Sequence, residues 1–137
     1  MPQKPKFNEE LYGLIMKCSR KGVMTEWNKF ILKADAERIN LCGANLARTF
    51  LGNADLRNAI LTGANLSGAD LCAVHLKGSK LNRANLSRAR LSRTNYLNEV
   101  DFTETDLREV DFTHTDLRGV NFTKANLTKV NFSQNIL

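Results

Sequence analysis

The 137-residue chain is long enough for one domain, and 42% hydrophobic with 25% charged residues is an ordinary soluble composition. No run of about 18 apolar residues is present to span a membrane, and the opening MPQKPKFNEELYG lacks the apolar core of a signal peptide. Three cysteines without a CxxC pair (Cys18, Cys42, Cys72) suggest neither a disulfide framework nor a zinc site, so a reducing cytoplasm is the expected compartment, and a formal charge of +6 permits an acidic partner without requiring one.

Residues 1–38 read as two short helices. Asn8 is placed to cap the first, with Glu9 and Glu10 in its first turn. Leu11, Leu14, Ile15 and Cys18 then follow the i, i+3, i+4, i+7 spacing of one helical face. Gly22 breaks the pattern. Thr25 is the expected cap of the second helix, on which Trp27, Phe30, Ile31 and Ala34 repeat the spacing. Two such helices cannot build a core alone and need a surface to cover.

Residues 39–137 beat in fives. Leucine recurs every fifth residue from Leu41 to Leu91, and the beat resumes as Phe102, Leu107, Phe112, Leu117, Phe122, Leu127, Phe132 and Leu137. A small or β-branched residue stands two before most beats, as at Ala44, Ala64 and Val110, and Asn or Asp one before, as at Asn45, Asp70 and Asp106. Neither a helix nor a strand has a period of five. The unit A-[N/D]-L-x-x resembles the pentapeptide-repeat family. The resemblance implies an all-β solenoid, a right-handed quadrilateral β-helix of about five coils, in which each unit forms one side and four units one coil. The beat residue and the residue two before it would point inward, with Asn and Asp at corners, where they tolerate unusual dihedrals and bond nearby amides. The two helices would cover the open end of the first coil, with Trp27, Phe30 and Ile31 lying on it.

The beat slips once. Leu91 to Phe102 is eleven residues, so one residue is inserted within SRTNYLNEV. A buried tyrosine needs a partner for its hydroxyl. Leu97 is therefore expected to point in and Tyr96 out, with a bulge near Thr94 and Asn95.

Lys77, Lys80, Arg83, Arg88, Arg90 and Arg93 form a stretch without an acid, followed by the acids Glu99 to Asp116 with only Arg108 among them. These six cations and Tyr96 are the candidate partner-binding surface. Coils of twenty residues, or twenty-one across the slip, would stack Arg83 against Glu104 and Lys124, and Arg88 against Glu109 and Lys129. Lys80 would neighbour Asp101, and Arg90 Asp111. The cations left unpaired would be Lys77, Arg93, Arg57 and Arg48. The flatter, glycine-rich surface over residues 42–78 is an alternative contact site.

His75 and His114 fall in different units, and no Ser/His/Asp set, HExxH or phosphate-binding glycine loop occurs. Cys42 and Cys72 follow beat residues and should face outward, without a local basic partner. The expected function is therefore a non-enzymatic protein-protein interaction module that uses no cofactor. Phe132, Ile136 and Leu137 form a candidate homodimer end. The resemblance implies one alternative, a DNA mimic that binds DNA gyrase, and the basic balance another, a nucleic-acid binder. A duplex mimic must be densely acidic, which disfavours the former.

Overall fold

The computed structural model describes residues 8–33 and 39–137. Helix α1 spans Glu9–Lys21. The Asn8 side-chain oxygen accepts the Leu11 amide at 3.0 Å, as the sequence predicts. At the other end Gly22 adopts φ 68°, a left-handed conformation suited to glycine, and the Val23 amide reaches back to the Cys18 carbonyl. Leu11, Ile15 and Cys18 are buried.

Helix α2 spans Thr25–Lys33, so Thr25 lies inside it rather than capping it. The Asn28 amide closes the first turn on the Met24 carbonyl at 2.9 Å. Met24 is buried, and burying that side chain is worth about 1.5–3 kcal/mol, more than the roughly 1 kcal/mol of a hydroxyl cap. Met24, Trp27 and Ile31 share the inward stripe. Phe30 falls beside it and is 47% exposed, so it does not lie on the solenoid as expected. Ala34 lies outside the described residues.

From Asn40 onward the backbone makes parallel one-residue bridges in four rows. Row one runs Asn40, Ile60, Lys80, Asp101, Asn121, and row two Asn45, Asn65, Asn85, Asp106, Asn126. Row three runs Phe50, Asp70, Arg90, Asp111, Asn131, and row four holds the pairs Asp55–His75 and Asp116–Ile136. The step is twenty residues, and twenty-one where Lys80, Asn85 and Arg90 meet Asp101, Asp106 and Asp111. A typical rung is the Leu46 amide on the Asn65 carbonyl (2.7 Å) with the Asn65 amide on Ala44 (2.9 Å). Each unit spends its other residues on the interior and on a turn, so the ladder never lengthens into a continuous strand.

The Asn or Asp before the beat sits in the rung and not at the corner. The corner is two residues after the beat, where φ is positive: +67° at Gly63, +59° at Arg83, +57° at Glu104. That is the third residue of a β-turn closed, for example, by the Ala64 amide on the Leu61 carbonyl at 3.0 Å. The glycines Gly43, Gly63, Gly68 and Gly78, which leave a flat surface, therefore also answer a backbone demand. The Asn and Asp side chains shape the corner from beside it. Asn65 Oδ1 accepts the Ser67 amide at 3.1 Å, and Asp101 Oδ1 the Thr103 amide at 2.9 Å.

The beat residues from Leu41 to Leu117 are buried, together with the small residues two before them, in one continuous core. Where Thr105 and Thr115 take the small position, their hydroxyls donate to the Leu81 and Leu91 carbonyls, each at 2.9 Å. This satisfies the buried hydroxyls. Leu97 is buried and Tyr96 is 50% exposed, as the hydroxyl argument predicts.

The helices meet the first level through its unpaired rung groups. Trp27 Nε1 donates to the Asp55 carbonyl at 2.9 Å, Asn28 Oδ1 accepts the Asp55 amide at 2.8 Å, and Ser19 Oγ accepts the Phe50 amide at 2.9 Å. Tyr12 Oη donates to the Asn45 carbonyl at 2.9 Å and the Asn8 amide to Asn40 at 3.0 Å. In higher levels the same groups bond the level before. The helical side chains thus replace a missing rung and cover an open sheet edge.

Candidate functional site

The basic stretch does not gather on one face. Lys80 lies in row one and Arg90 in row three. Arg83, Arg88 and Arg93 hold the corners after rows one, two and three, while Lys77 and Tyr96 flank row four. Residues contiguous over one twenty-residue step circle the solenoid, so the candidate surface is a belt.

Two of the stacked ion pairs form as expected: Arg83–Glu104 at 3.1 Å and Arg88–Glu109 at 3.4 Å. Arg90 instead reaches Asp70, at 3.4 Å. Both aspartates accept an amide of their own turn, Asp70 that of Cys72 at 3.0 Å and Asp111 that of Thr113 at 2.9 Å. Lys80 and Asp101 share a backbone bridge, but no ion pair joins them, and Lys124 and Lys129 make none among the described residues. Arg57, expected free, is clamped to Asp55, with Nη2–Oδ2 2.6 Å and Nε–Oδ1 2.8 Å. Arg48, Lys77 and Arg93 have no acidic partner among the described residues.

The Asp55–Arg57 clamp recurs as Asp106–Arg108 and Asp116–Arg118, each with a 2.6 Å contact. The readable signal is the tripeptide Asp-Leu-Arg around a beat, which places carboxylate and guanidinium on the same outer side. Hydrogen bonding from the Arg118 guanidinium holds Asp116 down to about 2, and Arg108 lowers Asp106 likewise. Burial pushes Asp55 up, but the Arg57 hydrogen bonds and charge outweigh it. All three folded values lie below the ordinary 3.8. The stability they confer is therefore complete above about pH 4 and is lost as pH falls towards 2. Thermal midpoints measured from pH 7 to pH 2 should fall in that acid window, and fall less in the double variant Asp106→Asn/Asp116→Asn. Parallel curves would show that these exposed clamps contribute nothing.

Row four carries the main irregularity. No bridge joins His75 to Asp116 through the inserted segment. The Asp116 amide reaches the Thr94 carbonyl at 3.3 Å. In place of the missing rung, the His75 and Tyr96 rings stack at 4.6 Å with planes 21° apart. Asn95, Asn98, Asp116 and Arg118 line a shallow hollow of about 390 Å³ on one side. Leu32, Asn53, Asp55, Arg57 and His75 line one of about 230 Å³ on the other. Leu32 is 74% exposed, so an apolar and aromatic strip runs Leu32–His75–Tyr96 between two guanidinium clamps. Tyr96 was anticipated from sequence. Leu32 and His75 were not, because nothing in a linear reading brings a helix residue beside them. Ser79 Oγ and Thr94 Oγ1, next to the insertion, are buried without a hydrogen-bond partner.

Cys42 is exposed, and Cys72 is half-buried with Sγ 3.3 Å from Ser92 Oγ. Burial pushes the Cys72 thiol up, away from thiolate chemistry. Among the described residues no three His, Cys, Asp or Glu side chains converge to hold a metal ion.

The family model for pentapeptide repeats matches residues 37–71, 73–95 and 96–134, most of the chain. Among curated proteins there is no sequence match. Among solved structures, the chain is similar to HetL, a pentapeptide repeat protein involved in heterocyst differentiation regulation in the cyanobacterium Nostoc sp. strain PCC 7120. Identity is 27% over 72% of this chain and 57% of HetL, with a TM-score of 0.51. It is also similar to a pentapeptide repeat protein of the Arabidopsis thaliana thylakoid lumen (27% identity, 72% of this chain, 64% of the other, TM-score 0.45). A third likeness is to trypsin-treated QnrB1, a plasmid-mediated fluoroquinolone resistance protein (16% identity, 70% and 59%, TM-score 0.33). The chain spans less than two thirds of the length of each of these three structures.

Proposed function

Because the chain belongs to the pentapeptide repeat family, whose fold is a right-handed β-helix solenoid, we propose that it is a non-enzymatic protein-binding module acting in the cytoplasm. In this reading residues 39–137 form a four-sided rod of about five coils, and residues 1–38 form a two-helix cap. The observation that carries it is the Leu32–His75–Tyr96 strip. A half-exposed aromatic side chain, stacked and flanked by clamped arginines, sits at the break in the ladder. Binding energy concentrates on such rigid aromatic anchors. HetL, itself involved in regulation, supports a regulatory role without naming this chain's partner.

The test compares the wild-type chain with Tyr96→Ala, each immobilised in native lysate of the source organism. Tyr96 is half-exposed and its main contact is the His75 ring, so its removal should cost only about 0.5–1.5 kcal/mol and leave the fold intact. A partner held by the wild type should be lost from the variant. Equal retention, or nothing retained by the wild type, overturns the reading. A homodimer through Phe132, Ile136 and Leu137, exposed by 39%, 54% and 86%, belongs to the same proposal. Sedimentation equilibrium showing only monomer at micromolar concentration would remove it. No observation favours the DNA-mimic alternative, since a formal charge of +6 opposes a duplex-like field.

A further inference from the structure

Row two carries a second feature. Along its corners the residues are Arg48, Gly68, Arg88 and Glu109, at successive levels. Strand spacing of about 4.8 Å per level places Arg48 and Arg88 about 10 Å apart along the row. The residue between them has no side chain. The result is a groove of about 370 Å³ floored by Ser67 and Gly68 and walled by Arg48, Arg88, Asn85 and Arg108. The Arg48 stem leans over it: a Cβ on Gly68 would lie 3.4 Å from Arg48 Cγ.

The groups at this groove are donors with capacity to spare. Arg48 has no acidic partner among the described residues. Arg88 contacts Glu109 through Nε, leaving its terminal nitrogens. Asn85 spends its oxygen on the Ser87 amide (2.9 Å) and hydroxyl (2.7 Å), while its amide nitrogen makes no hydrogen bond among the described residues. Arg108 is held by Asp106. Three guanidinium groups against Glu109 and Asp106 leave a surplus of one positive charge. One surplus charge fits a single carboxylate held by paired guanidinium donors. It does not fit a nucleic-acid strand, which needs a run of unpaired cations, whereas here a carboxylate lines the groove.

We infer that the Gly68 notch between Arg48 and Arg88 is a binding site for a carboxylate side chain from an acidic segment of a partner protein. This deepens the protein-binding reading by naming the partner's chemistry, but it uses a different row and stands on separate residues. The test titrates the full chain into a fluorescein-labelled hexaglutamate peptide at low salt, followed by anisotropy. Arg48→Ala and Gly68→Asn should each weaken binding at least tenfold. Both fit the backbone, because Ala73 and Asn53 hold the same corner conformation at φ 55° and 62°. Lys77→Ala removes an equally unpaired cation elsewhere and should leave binding unchanged. Absence of peptide binding overturns the inference. So does equal weakening by Lys77→Ala, which would mean non-specific attraction. Tighter binding of a twelve-base-pair duplex, or of inorganic phosphate, lost on Arg48→Ala, would assign the notch to phosphate instead. Loss of lysate capture with intact hexaglutamate binding would separate failure at row four from failure here.

Discussion

Phe112→Ala is expected to destabilise the protein by about 3–5 kcal/mol and to make its unfolding stepwise. Phe112 is fully buried. Its ring stacks on Phe132 at 5.9 Å and meets Phe102 and Phe122 edge-on at 6.2 and 6.0 Å. Phe102 and Phe122 stack on each other at 5.7 Å. Rows one and three thus carry two ring columns facing across the interior beyond the slip, where the earlier levels carry leucine. Truncation removes the ring that meets all three others, and aromatic pairs add about 0.5–1.5 kcal/mol each beyond area burial. In a solenoid each level contacts only its neighbours, so the loss stays local. Amides from about residue 120 onward should lose hydrogen-exchange protection first, while residues 44–91 keep theirs. Phe132→Ala, at a half-exposed position, should cost much less. Uniform loss of protection along the chain would show instead that the solenoid unfolds as one unit.

The legible part of this fold is what each five-residue unit decides for itself. A large apolar residue and a small one two places earlier can only point inward, so Leu46 with Ala44 is read without knowing its neighbours. The slip is equally local: eleven residues from Leu91 to Phe102 leave Leu97 and Tyr96 to compete, and the hydroxyl settles it. The Arg83–Glu104 and Arg88–Glu109 pairs follow from the step of the stack. What was not legible is choice among equals. Arg90 has an aspartate above and below, each accepting an amide of its own turn, and pairs with Asp70. Arg57 finds Asp55 two residues away, a contact within the Asp-Leu-Arg tripeptide that the twenty-residue step of the stack does not predict. The corner position is signalled by Gly43, Gly63 and Gly78, each with positive φ, but asparagine and aspartate tolerate such dihedrals too, so residue type alone does not separate corner from rung. The Leu32–His75 neighbourhood depends on how helix α2 docks, and no pattern in either segment encodes that.

Trp27→Ala is the second change of large expected effect, about 3–5 kcal/mol. Trp27 is fully buried and is the anchor by which α2 meets the solenoid. Its Nε1–H satisfies the Asp55 carbonyl, a buried acceptor that in every higher level of an unbroken row is bonded by another coil. Trp27→Phe separates the two contributions. It keeps most of the apolar burial but leaves that carbonyl unmet, at about 1–3 kcal/mol. The difference between the variants, read by chemical denaturation, is then the packing share. Because α2 also carries Asn28 and Leu32, which line the hollow beside His75, the alanine variant should blur the Leu32–His75–Tyr96 strip before the chain unfolds. Capture of the row-four partner should therefore weaken at denaturant concentrations where the variant's solenoid circular dichroism is still native. If capture and circular dichroism are lost together, the helices and the solenoid form one cooperative unit, and α2 positions Leu32 only by virtue of the whole fold.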